Sequence, residues 1–356
     1  MGRFVWKRHK DIFKGIGIYH VTFVISGRQP LLGCLAVDHE EPRCLPTDLG
    51  RAISHDLEHI QQLRPYVRLL AKQLMPDHIH VLLYITDDCG VTIKEIARGM
   101  RQGWRHFLPA SVSIAPQMPS AGEYKQMPEY DETQKEEEGT QPPLFEPPFF
   151  RTLAHKGQLD AMIQYIHDNP RRAMLKQQNP DLFILRRETR VRDLCFSSMG
   201  NLFLLDYPDK QSVICSRSLS EQQIAAQLSE VLRQAENGSI TVTAAISPGE
   251  RQIAKAVRGA GFPLIILLKD GFPKAGDPHE KFYKPGGLYF EVCAAGRLLL
   301  LEPTADTLTL PDIQTRTEQT LREKAEARHW NYQPIPVSSD RYRMMAANEI
   351  VKILCP

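Results

Sequence analysis

Apolar and polar positions alternate along "HIHVLLYI" (78–85). Ile79, Val81, Leu83 and Ile85 fall on one side of an extended chain, and His78, His80, Leu82 and Tyr84 on the other. "YHVTFVIS" (19–26) predicts a strand by alternation and β-branching. "YVRLLAKQLM" (66–75) reads as a further strand, with Pro76-Asp77 as the turn into 78–85. A helix is expected over 47–63, with Thr47 or Asp48 as N-cap and Pro65 beyond its end. Another runs through "VTIKEIARGMRQGWRHFL" to Pro109. Leu159, Met162, Ile163 and Ile166 recur at helical spacing and predict a helix over 157–168. Pro170 is expected to stop it, because the residue before a proline avoids the α region.

The pattern breaks at 110–148. That stretch is rich in Pro, Gln, Ser and Glu and includes "DETQKEEEGTQPP". Such a composition buries too little apolar surface to order itself, so a disordered acidic, Pro-rich insertion is expected. From about residue 196 the strand candidates are "NLFLLDY", "SVICS", "SITVTAAI", "PLIILLKDG" and "RLLLLEP". Helical stretches lie at about 219–236, 249–260 and 314–328, and a last helix over 338–354 starts at Ser338, Ser339 or Asp340. Short, nearly all-apolar strands alternating with helices predict a parallel sheet covered on both faces. Two domains are therefore expected, 1–195 and 196–356, with "KQQNPDLFILRRETRVRD" as the connection.

Composition narrows this picture without redirecting it. A chain of 356 residues with 42% hydrophobic content can build two cores. A net charge of +2 means that nucleic-acid binding would rest on local basic patches. The apolar runs are too short to span a bilayer, and the basic N-terminus lacks the apolar region of a signal peptide. Seven scattered cysteines without a CxxC pair point to a reducing cytoplasm and away from a zinc ribbon.

Two segments carry candidate chemistry. His78 and His80 share a strand face, which offers either a bidentate clamp for a divalent metal or two polar residues on a solvated surface. "IQYIHDNPRRAM" places Tyr165 and Asn169 four residues apart, on one helical face. A phenol is a poor nucleophile at neutral pH, its ordinary pKa being near 10, and a metal polarising the target phosphate would ease its attack. Asn169 could add a carboxamide ligand. The alternative is a tyrosine that packs its ring and hydrogen-bonds locally.

Together, "MPDHIHVLL" and "YIHDNPRRAM" resemble the HUH motif (His, hydrophobic, His) and the tyrosine motif of single-tyrosine transposases of the REP-associated branch. "YHVTFVISGRQPLLG" and "FFRTLAHKGQLDAMIQYI" resemble that branch's first strand and its approach to the nucleophile. The resemblance covers about 18–175, without the insertion or the C-terminal half. It implies a ferredoxin-like antiparallel sheet with helices on one side, an α+β fold, and commonly a homodimer. It implies that His78, His80 and Asn169 bind Mg²⁺ or Mn²⁺. Tyr165 would then cleave single-stranded, hairpin-bearing DNA through a 5′-phosphotyrosine link, in its own subunit's site or a partner's.

Basic residues suit that expectation. Arg98, Arg101 and Arg105 follow Lys94 at helical spacing beside Trp104 and His106; Lys7 and Arg8 lie among Phe4 and Trp6; Arg171 and Arg172 follow the tyrosine. Cations contact phosphates and aromatics stack unpaired bases, although each arginine could equally be a solvated surface residue. In the C-terminal half, Ser247-Pro-Gly-Glu250 has the form of a capping box. Ser247 and Gly249 could also open an anion or nucleotide site at a helix start, though no GxGxxG or P-loop is present. The arrangement faintly resembles the Rossmann-like fold of DNA-processing proteins of the DprA/Smf type, an α/β likeness that carries no catalytic residues across. Two other functions compete with strand transfer. One is a domesticated, non-catalytic DNA-binding protein; the other is a zinc hydrolase, which would need further ligands beside His78 and His80, with Asp77, Asp87 and Asp88 nearby.

Overall fold

The computed structural model describes residues 14–88, 90–107, 143–268, 271–272 and 287–355. The chain is a mixed α+β structure that divides into two compact units, Met1–Leu175 and Lys176–Pro356. Among the described residues, no helix is long and apolar enough to cross a membrane.

The first unit runs β1 (Gly17–Val24), β2 (Gly33–Asp38), β3 (Glu41–Pro46), α1 (Asp48–Glu58), α2 (Ile60–Leu63), β4 (Val67–Leu74), β5 (His78–Ile85), α3 (Ile93–Trp104), β6 (Phe149–Leu153), α4 (Lys156–His167) and α5 (Asn169–Gln178), the last reaching past the division. β2 and β3 form a separate hairpin, and the other strands make one antiparallel sheet in the order β4-β5-β1-β6. Alternation assigns its two faces. Tyr19, Val21, Phe23, Ile79, Val81 and Leu83 pack with Leu49, Ile53 and Leu57 of α1 and with Ile93, Ile96, Ala97, Met100 and Trp104 of α3. Full burial of a Val, Leu, Ile or Phe side chain among these contributes roughly 1.5–3 kcal/mol. Thr92 and Glu95 close the start of α3 with a capping box, and Thr47 caps α1. The opposite face carries Ile18, Ala71, Leu82 and Leu153, covered by Leu159 and Ile166 of α4. Helices therefore lie on both faces of this sheet, where the resemblance implied one.

Two sequence expectations change here. Pro170 does not end the helical path: α4 stops at His167 with Asp168 as C-cap, and α5 restarts at Asn169 with the proline in its first turn, where its missing N–H has no partner to lose. The expected insertion is also shorter on its C-terminal side. Leu144 and Phe145 are buried in the α1/α3 core, and Glu146 N donates to Val24 O. Residues 110–142 lie outside the described residues.

The second unit runs β7 (Arg186–Val191), β8 (Leu194–Gly200), α6 (Phe203–Asp206), β9 (Lys210–Val213), α7 (Glu221–Glu236), β10 (Ile240–Thr243), α8 (Pro248–Gly259), β11 (Leu264–Leu267), α9 (Gly287–Ala294), β12 (Leu298–Pro303), α10 (Ala305–Leu308), α11 (Pro311–Glu326) and α12 (Asp340–Leu354). One sheet has the order β7-β8-β12-β11-β10-β9. β9 to β12 are mutually parallel, and β8 joins β12 antiparallel. Both faces are covered, which is why these strands read as unbroken apolar runs. Leu264, Ile266, Leu298 and Leu300 meet Ile253 and Val257 of α8 and Val292 of α9. Ile265, Leu267, Leu299 and Leu301 meet Ile313 of α11 and Ala346 and Ile350 of α12.

The sheet is thus mixed, with an antiparallel edge. The segment expected as a connection supplies β7, and the expected boundary at 195/196 falls inside β8. "NLFLLDY" is a turn and the short helix α6; Asn201 Oδ1 accepts from Phe203 N at 3.1 Å while its Nδ2 donates to Gly296 O at 2.7 Å.

Candidate functional site

The face of the first sheet that α4 covers turns polar beyond Leu82 and Ile18. The β1–β5 register sets Thr22 opposite His80, His20 opposite Leu82 and Val24 opposite His78, so His20, Thr22, His78 and His80 share that face. His20 Nε2 lies 3.1 Å from His80 Nδ1, and Thr22 Oγ1 lies 3.1 Å from the same nitrogen. The His20 and His80 rings stack at 5.1 Å, and His78 meets His80 edge-on at 4.9 Å.

Each candidate ligand histidine is oriented through Nδ1. His78 Nδ1 is 2.6 Å from Asp77 Oδ1, and Arg28 Nη1 donates to Asp77 Oδ2 at 3.1 Å. Burial alone would raise the Asp77 carboxyl pKa. The hydrogen bond and charge of His78 and the Arg28 guanidinium outweigh it and hold that pKa below its ordinary value. His20 is pushed down to about 4, by burial first and then by the Arg151 guanidinium. A neutral His20 can accept a hydrogen bond from a protonated His80 Nδ1. That assignment makes Nε2 the unprotonated nitrogen of His80.

Tyr165 reaches this cluster from α4. Its half-buried ring is edge-on to His80 at 5.8 Å and to His20 at 6.5 Å, within one chain. The guanidinium carbon of Arg172 sits 5.7 Å from the ring centroid. Ile166, next along the helix, is fully buried and anchors α4 on Ile18 and Leu82. Asn169 turns its Nδ2 back to donate to Tyr165 O at 2.8 Å and Ile166 O at 3.3 Å, closing the last turn of α4. Asn169 therefore braces the tyrosine turn, with Oδ1 as its other polar atom.

These residues fit a divalent ion in one respect that the structure displays. Nδ1 of each histidine faces a hydrogen-bonding neighbour, the outer arrangement that fixes ring and tautomer in metal-ligating histidines, so Nε2 is the nitrogen a metal would take. Among the described residues, no three His, Cys, Asp or Glu side chains gather as a metal cage. Asp77 is engaged with His78 and Arg28, Asp87 accepts from Thr86, and Asp88 accepts from Gly90 N.

The basic residues separate into groups. Arg98 and Arg105 are exposed, but Arg101 turns inward and donates to Phe145 O at 2.8 Å. Trp104 is fully buried against Phe23 and Phe145, with Nε1 donating to Asp56 at 2.7 Å, so it is a core residue and no base-stacking platform. Arg171 forms a two-point pair with Asp168, and Arg172 belongs to the surroundings of Tyr165. Lys7 and Arg8 lie outside the described residues.

Ser247 caps α8, and the helix start is filled from within. Glu250, 1% exposed, accepts from Ile246 N at 2.6 Å, Ser247 N at 3.0 Å and Cys215 N at 2.9 Å. A Cβ on Gly249 would stand 3.2 Å from Cys215 Cβ and 3.3 Å from Ile224, so close packing explains that glycine. The Glu250 carboxylate thus takes the amides that lead into α8 and one from just beyond β9.

Sequence reasoning passed over His20, Thr22, Arg28 and Arg151. The alternation of "YHVTFV" placed His20 and Thr22 on one face, but only the pairing of β1 with β5 shows which histidine they meet.

No family model matches the chain, and no curated protein does. A solved structure described as a REP-associated tyrosine transposase bound to a REP hairpin matches over 47% of this chain and 74% of its own. The TM-score is 0.30 and the identity 12%, a distant likeness that transfers no residue role.

Proposed function

We propose that the first unit is a metal-dependent strand transferase of the single-tyrosine HUH type, acting on single-stranded, hairpin-bearing DNA. The observation that carries this reading is the edge-on approach of Tyr165 to His80 at 5.8 Å, from an element some eighty residues away in sequence. Two motifs that resemble one family's nucleophile and metal ligands meet at one place. The strand order β4-β5-β1-β6 supports the ferredoxin-like part of the reading, and the helices on both faces of the second sheet support its Rossmann-like part.

In the proposed step the Tyr165 oxygen forms a bond to phosphorus and the bond from phosphorus to the 3′ oxygen breaks. The phenolic proton passes to solvent, and the departing 3′ oxygen takes one up. A 5′-phosphotyrosine link and a free 3′-hydroxyl result. The link conserves the bond energy, so a second strand's 3′-hydroxyl can reverse the step without ATP. His78 and His80 would hold Mg²⁺ or Mn²⁺, with Asn169 Oδ1 as a further donor, and the bound ion would polarise the scissile phosphate. Arg172 steadies the ring by its cation–π contact. Asn169 holds the helix turn, and Asp77, His20 and Thr22 orient the imidazoles. The proximity of Tyr165 to its own chain's histidines favours a site completed within one subunit, whether or not the protein dimerises.

The test is a labelled, hairpin-bearing single strand incubated with Mn²⁺ and resolved under denaturing conditions. Wild type should yield a covalent protein–DNA species, and Tyr165→Phe none, while hairpin affinity stays within about twofold. An adduct that persists in Tyr165→Phe removes Tyr165 from its role. Hairpin binding with no wild-type adduct leaves the non-catalytic DNA-binding protein.

A further inference from the structure

The second unit carries a cavity of about 490 Å³ that the strand-transfer reading does not use. Its apolar lining includes Leu194, Leu205 and Ile353, and its charged lining is mostly cationic: Arg190, Arg192 and Lys210 against a single acid, Asp206. Arg190 ends β7's exposed side, and Arg192 sits in the two-residue turn that joins Val191 to Leu194. Both are exposed, and among the described residues neither guanidinium makes a hydrogen bond or ion pair. Lys210 is held in place by donating to Leu205 O at 3.0 Å and to Tyr207 O.

A second, independent observation comes from α6. The segment that supplies Leu202, Leu205 and Asp206 to the cavity also presents Phe203, 81% exposed, and Tyr207, 45% exposed. A large apolar ring left in water on a four-residue helix contributes nothing to that unit's core. Guanidinium groups without internal partners, an apolar recess and exposed aromatic rings are together the chemistry of contact with unpaired nucleotides. The cations take phosphates and the rings stack on bases, whatever the base.

We infer that the β7–β8 turn, α6 and the start of β9 form a docking site for single-stranded nucleic acid, distinct from the histidine–tyrosine cluster. Phosphates would lie on Arg190 and Arg192, and bases on Phe203 and Tyr207. This goes beyond the strand-transfer proposal and does not depend on Tyr165 or a metal.

The test uses the full chain in EDTA, where no strand transfer proceeds, and reads fluorescence anisotropy of a labelled oligothymidylate across a salt series. Arg190→Ala with Arg192→Ala should weaken binding and reduce the magnitude of the salt slope by about 1.4, the loss of two single-strand phosphate contacts. Phe203→Ala should weaken binding about five- to a hundred-fold with the slope unchanged. All three side chains are exposed, so thermal midpoints should match wild type; the charge reversal Arg192→Glu gives a second variant with a larger effect of the same sign. A photoreactive thymidine should crosslink within residues 190–210. Unaltered affinity and slope in these variants, with crosslinks elsewhere, overturns the inference. So does a free mononucleotide that binds as tightly as the oligonucleotide. Loss of the Tyr165 adduct with these results intact would strike only the strand-transfer proposal.

Discussion

Two polar clusters, one on the α4-covered face of the first sheet and one at the start of α8, differ in how they are hydrogen-bonded. At α8, Glu250 accepts three backbone N–H groups and both of its oxygens are engaged by the fold. In the first unit, Asp77 meets Nδ1 of His78, and Thr22 and His20 meet Nδ1 of His80. A tyrosine ring and a guanidinium then gather beside that face. The difference teaches that a helix's own carboxylate can take up the amides leading into its start, whereas His78 and His80 are oriented at Nδ1 with a tyrosine ring beside His80.

Mutations can break this comparison. The largest effect is expected for Glu250→Ala, which orphans three buried N–H groups. The second unit should lose about 4 kcal/mol in denaturant unfolding, with the Tyr165 adduct unaffected in the folded fraction. An unchanged stability would mean that the α8 start is satisfied by something other than Glu250. His80→Ala should have the reverse profile, lowering Mn²⁺-dependent adduct yield at least about a hundred-fold with little loss of binding. Adduct yield near wild type would detach His80 from the chemistry.

His20 gives two smaller effects. Its folded pKa, about 4, lies below the ordinary 6.5, so the unfolded chain binds the proton more readily and stability falls as pH drops from 6.5 toward 4. At about pH 5 the loss should reach about 2 kcal/mol, and His20→Phe should flatten that acid limb. A limb that survives in His20→Phe assigns it elsewhere. The same variant should weaken Mn²⁺ binding about tenfold by calorimetry, because His80 loses a partner that fixes its tautomer. Unchanged affinity would leave Thr22 as the sufficient partner.

Much of this was legible in the sequence, for physical reasons that can be named. β5 spans the residues its alternation marked, 78–85, because one of its faces is fully apolar. The α8 start was marked by Ser247, and the α12 start by Ser339 as one of three neighbouring candidates, and the side chains of both accept a backbone N–H. The β2–β3 hairpin went unread because its turn uses His39 and Glu40 at positive φ, in place of the Asn-Gly or Asp-Gly signature. β7 was hidden by its charge: "RRETRV" is an edge strand, where charged residues are the rule. The role of His20 was illegible because it depends on a cross-strand register that no local pattern encodes. Arg101 and Trp104 show the reverse error, since helical spacing alone does not say that one turns to a backbone carbonyl and the other to the core.

The central claim is that the phenol of Tyr165 and the imidazoles of His78 and His80 act as one site within one chain. Mixing Tyr165→Phe protein with His80→Ala protein, against wild-type adduct yield as the reference, tests it directly. Neither variant holds a complete set, so the mixture should stay as inactive as its components. Restored adduct would place each tyrosine with the histidines of a second copy and contradict the arrangement described.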